Sequence, residues 1–81
     1  MYRKENVPEL VKHSLDLYVN NRIPAGHFLT AVLENDLAGA FAYADRVNKY
    51  FMGDIVAYIY NELPIACWGS REKVANWLKG E

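Results

Sequence analysis

Apolar residues recur along this chain at three- and four-residue intervals in nearly every segment, and no stretch keeps the two-residue alternation of a strand for a useful length. A first helix is expected to open at Asn6-Val7-Pro8-Glu9. Asn6 can cap it, Pro8 tolerates the first turn, and Glu9 suits the positive end of the helix dipole. Val7, Leu10, Val11, Leu17 and Tyr18 then mark one face, widened by Leu15. Glu9, Lys12, Asp16 and Asn20 take the opposite face, with Lys12 spaced to pair with Asp16 one turn on. Asn20-Asn21 offers an exit, because Asn tolerates the left-handed conformation. "RIPAGH" interrupts the pattern with Pro24 and Gly26. A second, short helix should run from about Gly26 to Glu34, burying Phe28, Leu29, Val32 and Leu33 and turning His27, Thr30 and Glu34 outward.

Asp36 is suited to cap a third helix, its carboxylate accepting from first-turn N–H groups. That helix presents Leu37, Ala40, Phe41, Ala44 and Val47 on one face. Ala38, Gly39 and Ala42 lie on the other, where small side chains admit a close neighbour; without such a reason a mid-helix Gly costs about 1 kcal/mol relative to Ala. Continued to Glu62 the helix would be roughly 40 Å long, too long for so small a chain, so a break is expected between Asn48 and Gly53. The segment Phe51 to Tyr60 is apolar on two sides, with Phe51, Ile55, Tyr58 and Ile59 on one and Met52, Val56 and Tyr60 on the other. A helix of that kind is central or is covered by a partner. "ELPIACWGS" reads as a loop. Ser70 then caps a last helix with Glu72 in its first turn, Val74, Trp77 and Leu78 on its apolar face, Lys79 at its negative end and Gly80 as its stop. The expected fold is all-α, a compact bundle of four or five short helices forming a single helical domain over residues 1–81.

With 81 residues, the chain is near the lower limit for a self-sufficient core, yet 52% of it is hydrophobic and 14% aromatic. That excess points to apolar surface buried against a partner, most simply another copy, through Met52, Val56 and Tyr60. The formal net charge is −1 and the basic residues are scattered, which argues against nucleic-acid binding. A single cysteine, Cys67, rules out an internal disulfide and a Cys-rich zinc site, and fits a reducing cytoplasm. "MYRKENVPEL" lacks the apolar segment of a signal peptide, and the longest apolar run, Ile55 to Tyr60, is too short to cross a bilayer.

Each candidate site competes with a plainer reading. Cys67 as a nucleophile would need His13 or His27 as its base, but between Ala66 and Trp68 it reads as a small buried hydrophobe. His13, His27, Cys67 and the carboxylates match no recurrent metal spacing, so neither metal nor cofactor is expected. In "PAGHF", an anion could rest on the free N–H groups of a helix opened by Gly26, flanked by Arg22 and His27; the plainer reading is a connecting turn. Asp45 and Asn48, one turn apart, could orient a ligand or partner, or could be a solvated face. Tyr43, Tyr50, Tyr58 and Tyr60 could stack on a nucleobase, but aromatics are as often the anchors of protein interfaces.

"RIPAGHFLTAVLENDLAGAFAYADRVN", followed by "PIACWGS" and a Trp-bearing last helix, resembles a group of small proteins encoded by bacteriophages and prophages. The shared theme is Pro24, Gly26, Phe28-Leu29, Leu33, Asn35-Asp36-Leu37, Ala44-Asp45 and Asn48, over roughly Arg22 to Trp77. The resemblance implies an accessory phage protein acting inside the bacterial host, and such proteins often bind host factors, including components of antiviral defence. The function expected is therefore a non-enzymatic protein that binds a host macromolecule. The alternative is a homo-oligomer sequestering a small anionic, nucleotide-like molecule. A small DNA-associated regulator is disfavoured by the charge balance and by the missing recognition helix.

Overall fold

The structure, a computed structural model, describes residues 3–80. Six α-helices follow one another: α1 Glu9–Asn21, α2 Gly26–Leu33, α3 Leu37–Tyr43, α4 Arg46–Tyr50, α5 Met52–Glu62 and α6 Arg71–Leu78. Single 3-10 turns at Lys4–Asn6 and Ile65–Cys67 precede α1 and α6, and no strand occurs among the described residues. The all-α bundle is as expected, with one helix more than foreseen because the chain between Asp36 and Glu62 breaks twice. The radius of gyration is 11.5 Å, close to the ~12 Å of a single domain of this length.

Val11, Leu15 and Tyr18 bring one stripe of α1 to the core, with Val7 just ahead of it, where Leu29, Ala31, Val32 and Leu33 of α2 meet Ile55 and Ile59 of α5, Cys67 and Val74. Each fully buried aliphatic side chain contributes about 1.5–3 kcal/mol relative to exposure. Leu10, expected on that stripe, is exposed instead, one position round from Val11. Asn6 lies in the 3-10 turn and caps nothing; the Pro8 carbonyl accepts from the N–H groups of Val11 and Lys12 at 3.0 and 3.1 Å. Lys12 pairs backwards with Glu9, Nζ to Oε1 3.5 Å, rather than forwards with Asp16. The left-handed residue ending α1 is Arg22, φ 56°, not an Asn. Its N–H bonds the Tyr18 carbonyl at 3.1 Å, the bond of the αL capping motif, and the Ile23 N–H reaches the Leu17 carbonyl at 3.3 Å.

α2 and α3 form a helical hairpin about Glu34-Asn35-Asp36, with Asn35 at φ 63° making the turn. Asp36 caps α3 as expected, Oδ1 accepting from the Gly39 N–H at 3.0 Å. The buried face of α3 differs from the one anticipated. Ala40 and Ala44 face the core, while Leu37 is 70% exposed and Phe41 and Val47 also lie at the surface. In a hairpin this tight the small residues take the contact and the large ones are turned out. Gly39 serves a different purpose from the expected one. A Cβ there would collide with the Asp36 carboxylate, so the glycine makes room for the cap.

The second break falls at Phe51, inside the expected window; the first, at Ala44-Asp45, was not foreseen. Ala44 is extended at ψ 135°, and Asp45 starts α4 as its N-cap. The last segment is fastened to α1 and α2. Tyr18 donates its hydroxyl to the Cys67 carbonyl at 2.6 Å, Trp77 donates Nε1–H to the Tyr18 carbonyl at 3.1 Å, and the Gly69 N–H reaches the Leu33 carbonyl at 2.7 Å. Ser70 caps α6 as expected, Oγ accepting from the Lys73 N–H at 3.1 Å. No helix among the described residues is long and apolar enough to cross a membrane.

Candidate functional site

The α2–α3 hairpin is nearly symmetric about Asn35, so residues equally far from it in sequence come together in space. His27 opens α2 and Tyr43 closes α3, eight residues either side of the turn. Their rings stack with centroids 5.1 Å apart and planes 22° from parallel. The stack borders a groove of about 570 Å³ that runs between the hairpin and α6, with Gly26, Thr30 and Ala31 on one wall and Arg71 and Leu78 on the other. Glu34 and Asp36 contribute two carboxylates to it, and Arg71 Nε stands 3.9 Å from Glu34 Oε1. Arg71 is exposed, so this pair is a loose one and adds little to stability.

A second hollow, of about 250 Å³, shares Gly26 and His27 with the first and lies toward α1 and α4. Leu10, Ser14, Phe28 and Asn48 line it. Leu10 is therefore a rim residue here, not the core residue its spacing suggested. Gly26, at φ +88°, has open space where a side chain would stand, so the ridge between the two hollows stays low.

Of the four residues expected to bind a partner, the fold brings His27 and Asn48 to one hollow. Asp45 is at work in the backbone: its Oδ1 accepts the Asn48 N–H at 2.8 Å and caps α4. The one-turn spacing of Asp45 and Asn48 is thus the spacing of an N-cap to its third helical residue. Arg22 is turned away from Gly26. Its guanidinium lies over the Trp77 ring, 3.9 Å from the centroid, and donates to the Trp77 carbonyl at 2.7 Å. The pairing of Arg22 with His27 around a bound anion is corrected accordingly. Arg71 and Thr30 were not named as site residues, and Tyr43, named only as a residue that could stack on a nucleobase, was not paired with His27; the near-mirror spacing of His27 and Tyr43 about Asn35-Asp36 was the available signal for that pairing.

Of the expected interface residues on α5, Met52 is a core side chain, 7% exposed, while Val56 and Tyr60 do face outward. The break at Phe51 starts α5 with Met52 turned inward, above Ala40. Tyr60 leans on Trp68, ring centroids 5.7 Å apart.

Cys67 is fully buried, and burial pushes its thiol up to about 11. A thiol held protonated is a poor nucleophile. Burial likewise raises the Tyr18 hydroxyl, reinforced by the neighbouring Cys67, and raises that of Tyr58, reinforced by Asp16. Among the described residues, no three His, Cys, Asp or Glu side chains are grouped to hold a metal ion. The two hollows offer aromatic faces, a partly apolar floor and charges of both signs. Comparisons with protein families, with curated proteins and with solved structures gave no significant match.

Proposed function

We propose that this protein is a non-enzymatic, homo-oligomeric accessory protein of phage type that works in the cytoplasm of a bacterial host, binding a host macromolecule, a component of antiviral defence being the kind of target the resemblance implies. The observation that carries the reading is the pair of hollows about the His27–Tyr43 stack. Together they offer a curved strip of apolar and aromatic surface edged by Arg71, Glu34 and Asp36. Two carboxylates against one guanidinium suit a protein segment of mixed charge better than a polyanion. Aromatic rings at the centre of a concave surface are the usual anchors of protein recognition.

One observation favours a second reading. The stacked rings stand beside Arg71 and the Gly26 helix start, which suits a planar, anionic, nucleotide-like molecule. Native mass spectrometry of protein purified from a bacterial host separates the two. A host protein bound in fixed ratio, reconstituted from the two purified chains and lost in Tyr43→Ala, supports the first reading. A small molecule retained by the wild type and absent from Tyr43→Ala supports sequestration instead. Tyr43 is exposed, so the substitution leaves the core intact. Binding of either ligand unchanged in Tyr43→Ala and in Thr30→Glu would overturn the placement of the site.

A further inference from the structure

All seven residues of α3, LAGAFAY, are uncharged, and Leu37, Ala38, Phe41, Ala42 and Tyr43 are exposed. A solvated helix ordinarily carries charges on its outer face. Beside α3 a cleft of about 120 Å³ opens toward α5, floored by Ala40 and Met52 and walled by Leu37 and Val56. We infer that this face pairs two copies of the chain about a two-fold axis, α3 running antiparallel to its counterpart, with large apolar side chains of each copy lodged in the α3–α5 cleft of the other. The pairing deepens the homo-oligomeric part of the function proposed above; its cleft lies on the α5 side of α3, and it shares Asp36 and Tyr43 with the groove about His27.

Three features select a second copy as the occupant. The area is that of one interface. Leu37, Phe41, Val56 and Tyr60 are 70, 43, 47 and 66% exposed, which on side chains of about 150–250 Å² leaves roughly 450 Å² of mainly apolar surface. A standard interface takes about 800 Å² from each partner, a little over half of it apolar, so the two amounts agree. Knob and hole also occur on one face, as an isologous contact requires: protruding Leu37 and Phe41 stand beside a cleft sized for a single such side chain. Finally, groups near a two-fold axis meet their own copies, so any charge there would face a like charge, and α3 has none. Its charged neighbours, the Asp36 and Asp45 caps, lie beyond its two ends. An antiparallel pair centred on Ala40 brings Asp36 of each copy toward Asp45 of the other, at the exposed rim of the contact where salt screens them.

Centred on Ala40, the pairing sets Ala38 of one copy against Ala42 of the other. Sedimentation and light scattering from micromolar to near-millimolar concentration should show a dimer. Ala42→Glu should weaken it by about tenfold or more, since it sets charge within an apolar contact; its circular dichroism should be unchanged, Glu being a good helix former. For the register, Ala38→Cys and Ala42→Cys proteins are mixed and oxidised. Linked dimers should form faster in the mixture than in either alone, because a disulfide needs Cα atoms within about 7 Å. Buried Cys67 does not compete. A monomer at every concentration overturns both the pairing and the homo-oligomeric reading. A dimer that Ala42→Glu leaves intact overturns the choice of face alone. A dimer that Ala42→Glu breaks but the mixed cysteines do not link overturns the antiparallel register.

Discussion

Replacing Tyr18 by Phe should destabilise the protein by about 2 kcal/mol through the loss of one oxygen atom. Tyr18 is 1% exposed and sits on the core stripe of α1, so Phe keeps the packing. What goes is the hydroxyl that donates to the Cys67 carbonyl at 2.6 Å. A neutral hydrogen bond is worth about 0.5–1.5 kcal/mol net, and an acceptor left buried without its donor raises the cost toward 1–3 kcal/mol. The Cys67 carbonyl belongs to the short turn that leads into α6, and the Trp77 indole is bonded to the backbone of this same Tyr18. The loss therefore loosens the attachment of the whole last segment. At about 4–8 °C per kcal/mol for a domain of this size, the melting temperature should fall by about 8–16 °C. Thermal and urea denaturation followed by circular dichroism measure it, and the urea midpoint should drop with an unchanged slope. Tyr50→Phe, at an exposed position, is the control and should stay within about 0.5 kcal/mol of wild type. A Tyr18→Phe protein melting within about 2 °C of wild type would refute the claim that this hydroxyl holds the C-terminal segment in place.

Three further outcomes follow from local geometry. Asp45→Ala should cost about 0.5–2 kcal/mol, whereas Asp45→Ser and Asn48→Ala should be nearly neutral, because the cap uses the Asp45 side chain and only the backbone of Asn48; loss of the effect on the host in a normally melting Asp45→Ser protein would make the carboxylate functional after all. Gly39→Ala, at most helical sites a gain of about 0.5–1 kcal/mol, should give no gain here because its Cβ displaces the Asp36 cap; in an Asp36→Ala background the gain should return, and additive urea midpoints would contradict this. Cys67 is pushed up from its ordinary 9.0 to about 11 in the folded state. The thiol's contribution is therefore full below pH 9 and is lost as the pH rises toward 11, with Tyr18 shifted in the same direction. The melting temperature should fall across that window, less steeply in Cys67→Ala, and equal slopes would count against burial as the cause.

Much of this architecture is local, and that part was legible in the amino-acid order. The Asp36 and Ser70 caps, the interruption at Pro24 and Gly26, the break before Gly53 and the stop at Gly80 each depend on groups within about four residues of one another. Helical periodicity likewise identified an all-α bundle, because 3.6-residue spacing is a property of the backbone. Capping spacing was also present at Asp45 and Asn48, but there the same interval fits two residues sharing the face of a longer helix; only the extended backbone at Ala44 decides between them. Which side of α3 is buried could not be read locally either. Leu37 and Phe41 outrank Ala40 and Ala44 in hydrophobicity, yet the tight hairpin with α2 leaves room only for alanine, and the larger side chains are turned to the surface. The same holds for Met52, whose inward direction is set by where the chain breaks at Phe51, and for Arg22, drawn from the Gly26 turn to the Trp77 ring fifty-five residues away in the chain. Sequence pattern specifies how much apolar surface a short helix carries. The choice of which part meets the core belongs to the packing of neighbours distant in the chain, and in this protein that choice placed His27 against Tyr43 and left the face of α3 uncovered.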